Sequence, residues 1–175
     1  VVVLFRNGLG AQHQISEAFP AISLICATTP DGAYLRAPFE VIHAGAGETH
    51  FGWLDPSNGN YDVPVTLSHC FDRLGLIARW DNNIYRRMLR KLAVNAVINP
   101  LTVIHHCSNG EILEGADRIT HIHQLCEEIA PIIAALNPGA PYNLFDQVVS
   151  VARSTNRNYS SMYQDVAACQ TTEID

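Results

Sequence analysis

Lys91-Leu92-Ala93-Val94-Asn95-Ala96-Val97-Ile98-Asn99-Pro100-Leu101-Thr102-Val103-Ile104 is the stretch on which the reading of this chain turns. Apart from Lys91, Asn95, Asn99 and Thr102 its residues are apolar or proline, the composition of a helix buried nearly all round. A step of four residues advances only about 40° beyond a full helical turn, so Lys91, Asn95 and Asn99 share one face. A buried amide without a partner costs about 1 to 3 kcal/mol, and an unpaired ammonium more. Three such groups in line need partners or a wet cleft, and a cleft holding a small polar, anionic ligand would supply them. A structural reading stands beside this one. Pro100 leaves the Ala96 carbonyl without its helical donor, and Asn95 or Asn99 could serve only to repair that kink. The alignment of Lys91 with two amides favours the functional reading.

Outward from this helix the text divides in two. From about Ile84 to the end it is helical by periodicity, with breaks expected near Pro100, Ser108-Asn109-Gly110 and Asn137-Pro138-Gly139. Before it lies α/β text. Val1-Val2-Val3-Leu4-Phe5 reads as a strand buried on both faces of a parallel sheet. Arg6-Asn7-Gly8-Leu9-Gly10-Ala11-Gln12 turns from it into a helix reaching about Ala18, and Ala21 to Ala27 reads as a second buried strand. Val41-Ile42-His43 and Thr49 to Leu54 flank Ala44-Gly45-Ala46-Gly47, which predicts a hairpin or bulged pair between them. Asp55 to Asn60 is a turn cluster, Val65 to Leu74 is helical, and Leu76 to Arg79 is a last short strand. Trp80-Asp81-Asn82-Asn83 is the candidate boundary, so an α/β domain of residues 1–82 is expected to precede an all-α domain of residues 83–175.

Composition narrows the function. The 175 residues carry 17 acidic and 11 basic side chains, a net charge of -6, which argues against a surface coated for nucleic-acid phosphates. The longest nearly apolar run, Ile129 to Leu136, falls short of the roughly 20 residues that cross a bilayer, so neither nucleic acid nor membrane is an expected partner. The five cysteines are odd in number and never form C-x-x-C, which fits a reduced, cytoplasmic setting. His105-His106 and His121-Ile122-His123 lack the i, i+4 ligand spacing of a helical metal site, and no metal is expected. The basic run from Arg86 to Lys91 reads as a solvated helix face or a hold on cofactor phosphate. A chain that opens inside a strand and ends at Thr171-Thr172-Glu173-Ile174-Asp175 without a helix stop reads as a piece of a longer protein.

The motifs resemble those of the 2-dehydropantoate 2-reductase, or ketopantoate reductase, family. They run in order along the chain: Asn7-Gly8-Leu9-Gly10, His43 to Gly52, the Lys91-x-x-x-Asn95-x-x-x-Asn99-Pro100 series, Asn109-Gly110-Glu111, Asn158-Tyr159-Ser160-Ser161-Met162-Tyr163-Gln164-Asp165 and Thr172-Glu173-Ile174-Asp175. The resemblance covers essentially the whole chain. It implies the C-terminal part of a Rossmann-type NADP-binding domain followed by a helical, 6-phosphogluconate-dehydrogenase-like domain, with NADPH reducing ketopantoate to pantoate for pantothenate and coenzyme A synthesis. It further implies Lys91 as general acid, Asn7, Asn95, Asn99, Asn109 and Ser161 at the small-molecule substrate, and Asn7, Gly32 and Glu173 at the cofactor. A homodimer is compatible with it.

Departures from the family pattern set limits. No G-x-G-x-x-G follows a strand, although that turn supplies the helix N-terminus on which a pyrophosphate rests, so weak NADPH binding by these residues is expected. Helices expected after Asp175 lie outside the sequence, and Glu173 is expected to be frayed or displaced. Two rivals stay open: a reductase of another 2-keto acid, and a non-catalytic helical binding or assembly module.

Overall fold

A computed structural model describes residues 1–45, 47–54, 65–74, 77–137 and 142–174. The predicted turn cluster Asp55 to Asn60 and the predicted break at Pro138-Gly139 lie outside the described residues. The chain forms two compact units, Val1–Leu89 and Arg90–Asp175.

The first unit is α/β. Its elements are β1 (Val2–Phe5), α1 (Ala11–Ala18), β2 (Leu24–Thr28), β3 (Gly32–Ala37), β4 (Glu40–Gly45), β5 (Thr49–Trp53), α2 (Val65–Leu74), β6 (Ala78–Trp80) and the start of α3 (Ile84–Ile104). A four-stranded sheet runs β1-β2-β5-β6, with β1 parallel to β2 across the α1 crossover, β2 antiparallel to β5, and β5 parallel to β6. Side chains alternate across a strand, and β2 shows the consequence. Leu24 and Cys26 join Leu54, Ile84 and Met88 on one face, while Ile25 and Ala27 join Phe51 and Phe71 on the other. Phe51 and Phe71 stack with ring centroids 3.8 Å apart, so α2 covers the second face as α1 and the head of α3 cover the first. Gly52 allows the close approach of α3. A Cβ there would overlap the Asp81 carbonyl and stand 2.8 Å from the Ile84 Cβ.

Two sequence expectations fail in this unit. β1 is the end strand of the described sheet, so Val2 and Phe5 are exposed, not buried on both faces. The hairpin is β3 with β4, turning at Phe39 (φ 65°), and β5 pairs with β2 and β6 instead of β4. Gly47 fits closely against the residues before β3: its N–H bonds the Asp31 carboxylate, and a Cβ would collide with the Pro30 ring.

The second unit is helical: the rest of α3, a single 3-10 turn at Glu111–Leu113, α4 (Ala116–Leu136), α5 (Leu144–Ser154) and α6 (Ser161–Ala167). Leu144, Val148 and Ala152 form a buried stripe of period four on α5, and Val97, Leu101, Ile112 and Ile122 are buried in the same unit. Asn143 caps α5 by accepting the Asp146 N–H at 3.2 Å. Contrary to expectation, α3 does not break at Pro100. The residue whose carbonyl Pro100 orphans, Ala96, is exposed, so water can replace the lost donor. Pro131 sits in α4 on the same terms, four residues after exposed Glu127. Among the described residues no helix is long and apolar enough to cross a membrane.

Candidate active site

On the second unit's part of α3, Ala93, Val94, Val97, Ile98 and Leu101 are buried. Against them runs the polar stripe: Lys91 and Asn95 are half-buried and Asn99 is buried. Asn99 Nδ2 donates to Glu173 Oε1 at 3.0 Å. Burial pushes the Lys91 ammonium below its ordinary range, and attraction to the Glu173 carboxylate pulls part of the way back. Glu173 is exposed, yet engaged. It is held in the segment after α6 by an amide and a nearby cation. Asn95, one turn from each, shares the face by its spacing.

Asn109 belongs to a second polar group. Its N–H bonds the Asn158 carbonyl at 2.9 Å and its Nδ2 bonds Thr155 Oγ1 at 2.9 Å. Thr155 spends its own hydroxyl hydrogen on the Val151 carbonyl, 2.8 Å away, so it can only accept from Asn109. That fixes the orientation of the amide and leaves Asn109 Oδ1 buried, without a hydrogen-bond partner among the described residues. Ser161 opens α6 and is exposed, directly after the buried cap Ser160, which accepts the Tyr163 N–H at 3.0 Å.

The remaining candidates lie in the first unit. Asn7 is exposed in the turn after β1, where Gly8 (φ 79°) and Gly10 (φ 112°) take left-handed conformations open to glycine. Gln12, fully buried in α1, donates Nε2 to the Gly8 carbonyl at 3.0 Å and so clamps this turn. Gly32 is the first residue of β3, paired with Gly45 at the open end of the hairpin.

A family model described as Ketopantoate reductase PanE/ApbA C terminal matches residues 83–175, more than half of the chain. The chain belongs to the ketopantoate reductase PanE/ApbA family. A second model of that family, Ketopantoate reductase PanE/ApbA, matches residues 1–56. The chain is similar to 2-dehydropantoate 2-reductase of Vibrio cholerae (36% identity, 100% of this chain and 58% of that one). It is similar also to that of Escherichia coli O157:H7 (35% identity, 99% of this chain and 55% of that one). The chain thus spans little more than half the length of these relatives. Among solved structures, a probable 2-dehydropantoate 2-reductase from Bacillus subtilis superposes with a TM-score of 0.77 at 26% identity, covering 98% of this chain and 57% of that one. The Geobacter metallireducens 2-dehydropantoate 2-reductase shares the fold, with a TM-score of 0.85 at 21% identity over 98% of this chain and 57% of that one.

Ketopantoate reductases need a pyridine dinucleotide, and the residues here can be tested against its parts. Above Gly8 and Gly10 a Cβ would meet no atom within 4 Å, no side chain caps α1, and the buried Gln12 Oε1 has no partner among the described residues. The turn therefore has room beside its glycines and one unsatisfied buried acceptor for a polar group of such a dinucleotide. A G-x-G-x-x-G cradle for the pyrophosphate is not among the 175 residues.

Two polar residues of the second unit were given no role from the sequence. Thr102 (fully buried) and Ser160 share a 2.7 Å hydrogen bond between hydroxyls. Thr102 falls on the stripe as the next step, i+3, after Asn99, and that spacing was the available signal.

Proposed function

We propose that the full-length protein containing this chain is an NADPH-dependent, cytoplasmic reductase that converts 2-dehydropantoate to pantoate, a step toward pantothenate and coenzyme A. The observation that carries this reading is the half-buried Lys91, facing a carboxylate that Asn99 holds, on the polar stripe of an otherwise apolar helix face.

When bound, the dinucleotide supplies a hydride to the ketone carbon. Negative charge then grows on the ketone oxygen, and the Lys91 ammonium stabilises it and passes a proton from Nζ to that oxygen. Burial makes this proton easier to give, while Glu173 keeps the group charged until it is needed. Asn99 has spent one Nδ2 hydrogen on Glu173 and keeps the other, with Oδ1, for substrate. Asn95 and Ser161 add donors for the carboxylate. Asn109 Oδ1 is a buried acceptor that a substrate hydroxyl would satisfy, recovering about 1 to 3 kcal/mol of desolvation. Together they hold the ketone in place, as proximity requires. Asn7 is assigned to the nicotinamide end and the substrate, Glu173 to the cofactor, and Gly32 to a backbone contact with the cofactor.

The test is oxidation of NADPH by the full-length protein with 2-dehydropantoate and, separately, with simpler 2-keto acids. Turnover of 2-dehydropantoate at the higher kcat/KM is expected. Faster turnover of a simpler 2-keto acid assigns a different substrate, and no turnover of either makes the helical unit a binding module.

A further inference from the structure

We propose that Thr102 and Ser160 are positioning residues for the reaction: they carry a directed hydrogen-bond relay that fixes Ser161 against the Asn99 turn of α3. The inference rests on the reductase reading above, and deepens it.

Proton counting settles the direction of the relay. Thr102 Oγ1 lies 2.7 Å from the Asn99 carbonyl, which can only accept, so the single hydroxyl hydrogen of Thr102 is spent there. Its 2.7 Å contact with Ser160 Oγ must then be Ser160 donating. Ser160 in turn accepts the Tyr163 N–H at 3.0 Å. The order is therefore Tyr163 N–H to Ser160, Ser160 to Thr102, and Thr102 to the Asn99 carbonyl, with each hydroxyl both giving and receiving. Both hydroxyls are buried. Each hydrogen bond restricts the next, and loss of one hydroxyl strands a buried donor or acceptor on its neighbour.

What this relay joins gives it a role beyond stability. At one end stands Asn99, whose side chain holds Glu173 while its carbonyl receives Thr102. At the other stands the residue directly before Ser161. Two candidate substrate contacts and the carboxylate facing Lys91 are thus tied to a single turn of α3. A loose relay lets the head of α6 rotate, and the Ser161 hydroxyl leaves its place before any residue touching substrate has been changed. Small displacements of this kind are costly in an active site.

The test uses the full-length reductase. Thr102→Val keeps the volume and removes the relay, and it should raise KM for 2-dehydropantoate about tenfold with a much smaller change in kcat, the signature of lost substrate binding. Thr102→Ser restores the hydroxyl and should return KM to near the wild-type value. In a Ser161→Ala background the effect of Thr102→Val on KM should vanish, because the residue it positions has gone. A variant whose melting temperature falls while KM stays at the wild-type value overturns the proposal, as does full additivity with Ser161→Ala. Should Thr102→Val not fold, Thr102→Cys, with a weak S–H donor, replaces it under the same criteria. Wild-type protein that turns over no 2-keto acid sinks the reductase reading instead. Hydrogen exchange at the Tyr163 amide then decides the relay: faster exchange in Thr102→Val supports it, and unchanged exchange overturns it.

Discussion

Asn7 to Gly10 in the first unit and Lys91 to Asn99 in the second both carry polar groups that we propose meet a ligand, but they are built differently. The first is a turn whose shape depends on two glycines at positive φ and one buried amide, Gln12, that clamps it. Its usable groups are backbone and an exposed side chain. The second is a regular helix whose shape needs no special residue, and its usable groups are side chains that burial has forced to find partners. Backbone sites tolerate changes of side chain and fail when conformation changes, whereas side-chain sites do the opposite. Substitutions that separate these two failures test the contrast.

Lys91→Ala should give the largest effect. Removing a positioned general acid lowers kcat by about 10²- to 10⁴-fold, with a smaller change in KM. Stability should not fall, because burial opposes the charged form of this lysine. Steady-state kinetics and thermal melting of the full-length protein check both halves, and a wild-type rate removes Lys91 from the mechanism.

Gly52→Ala should give the reverse pattern in the first unit. The new Cβ would overlap the Asp81 carbonyl and crowd Ile84, overpacking that costs about 1 to 3 kcal/mol. Gly8→Ala has open space around it but keeps a φ of 79°, so its cost is conformational, about 1 to 2 kcal/mol. Urea denaturation separates them: Gly8→Ala should lie at or below Gly52→Ala, and the opposite order would mean that β5 and α3 yield more easily than the turn.

The same contrast explains what could be read from the sequence. The stripe of Lys91, Asn95 and Asn99 was legible because helical period alone fixes which residues share a face. The pairing of β5 was not, since Gly45 to Gly47 looks like a local turn while Phe51 actually pairs with Ala27, far back in the chain. Pro100 was misread as a break because whether a helix survives a proline depends on the surroundings of the residue four before it, here the exposed Ala96. The Thr102 to Ser160 bond joins residues 58 positions apart, which no spacing rule within one helix can show.

Glu173→Gln sharpens the picture of the second unit through pH. In the proposed mechanism Lys91 acts in its protonated form, so the rate should fall as pH rises through its folded pKa. Desolvation lowers that pKa and Glu173 raises it, so neutralising Glu173 leaves desolvation less opposed. The alkaline limb of kcat/KM should move to lower pH. Stability obeys the same shift: between the folded pKa and the ordinary lysine value of 10.5 the unfolded chain binds more protons, so stability rises with pH across that window. In Glu173→Gln the window opens at lower pH. An alkaline limb that stays in place would mean that another group sets it.

Arg36→Ala should do least, and its smallness is informative. Arg36 Nη1 and Glu40 Oε1 are 2.7 Å apart across the β3 to β4 hairpin, a short contact by distance alone. Both side chains are about half exposed, at 59% and 48%, so water and salt screen the pair, and exposed pairs of this kind contribute about 0 to 1 kcal/mol. The Asn99 to Glu173 contact is longer, at 3.0 Å, yet its donor is buried and it ties the segment after α6 to α3. If removal of Arg36 shifted the denaturation midpoint as much as Gly52→Ala does, the hairpin would depend on that charge pair, and burial would no longer rank the contacts of this chain. A shift close to zero leaves the hairpin resting on its backbone ladder, the same dependence on main chain that marks the Asn7 to Gly10 turn.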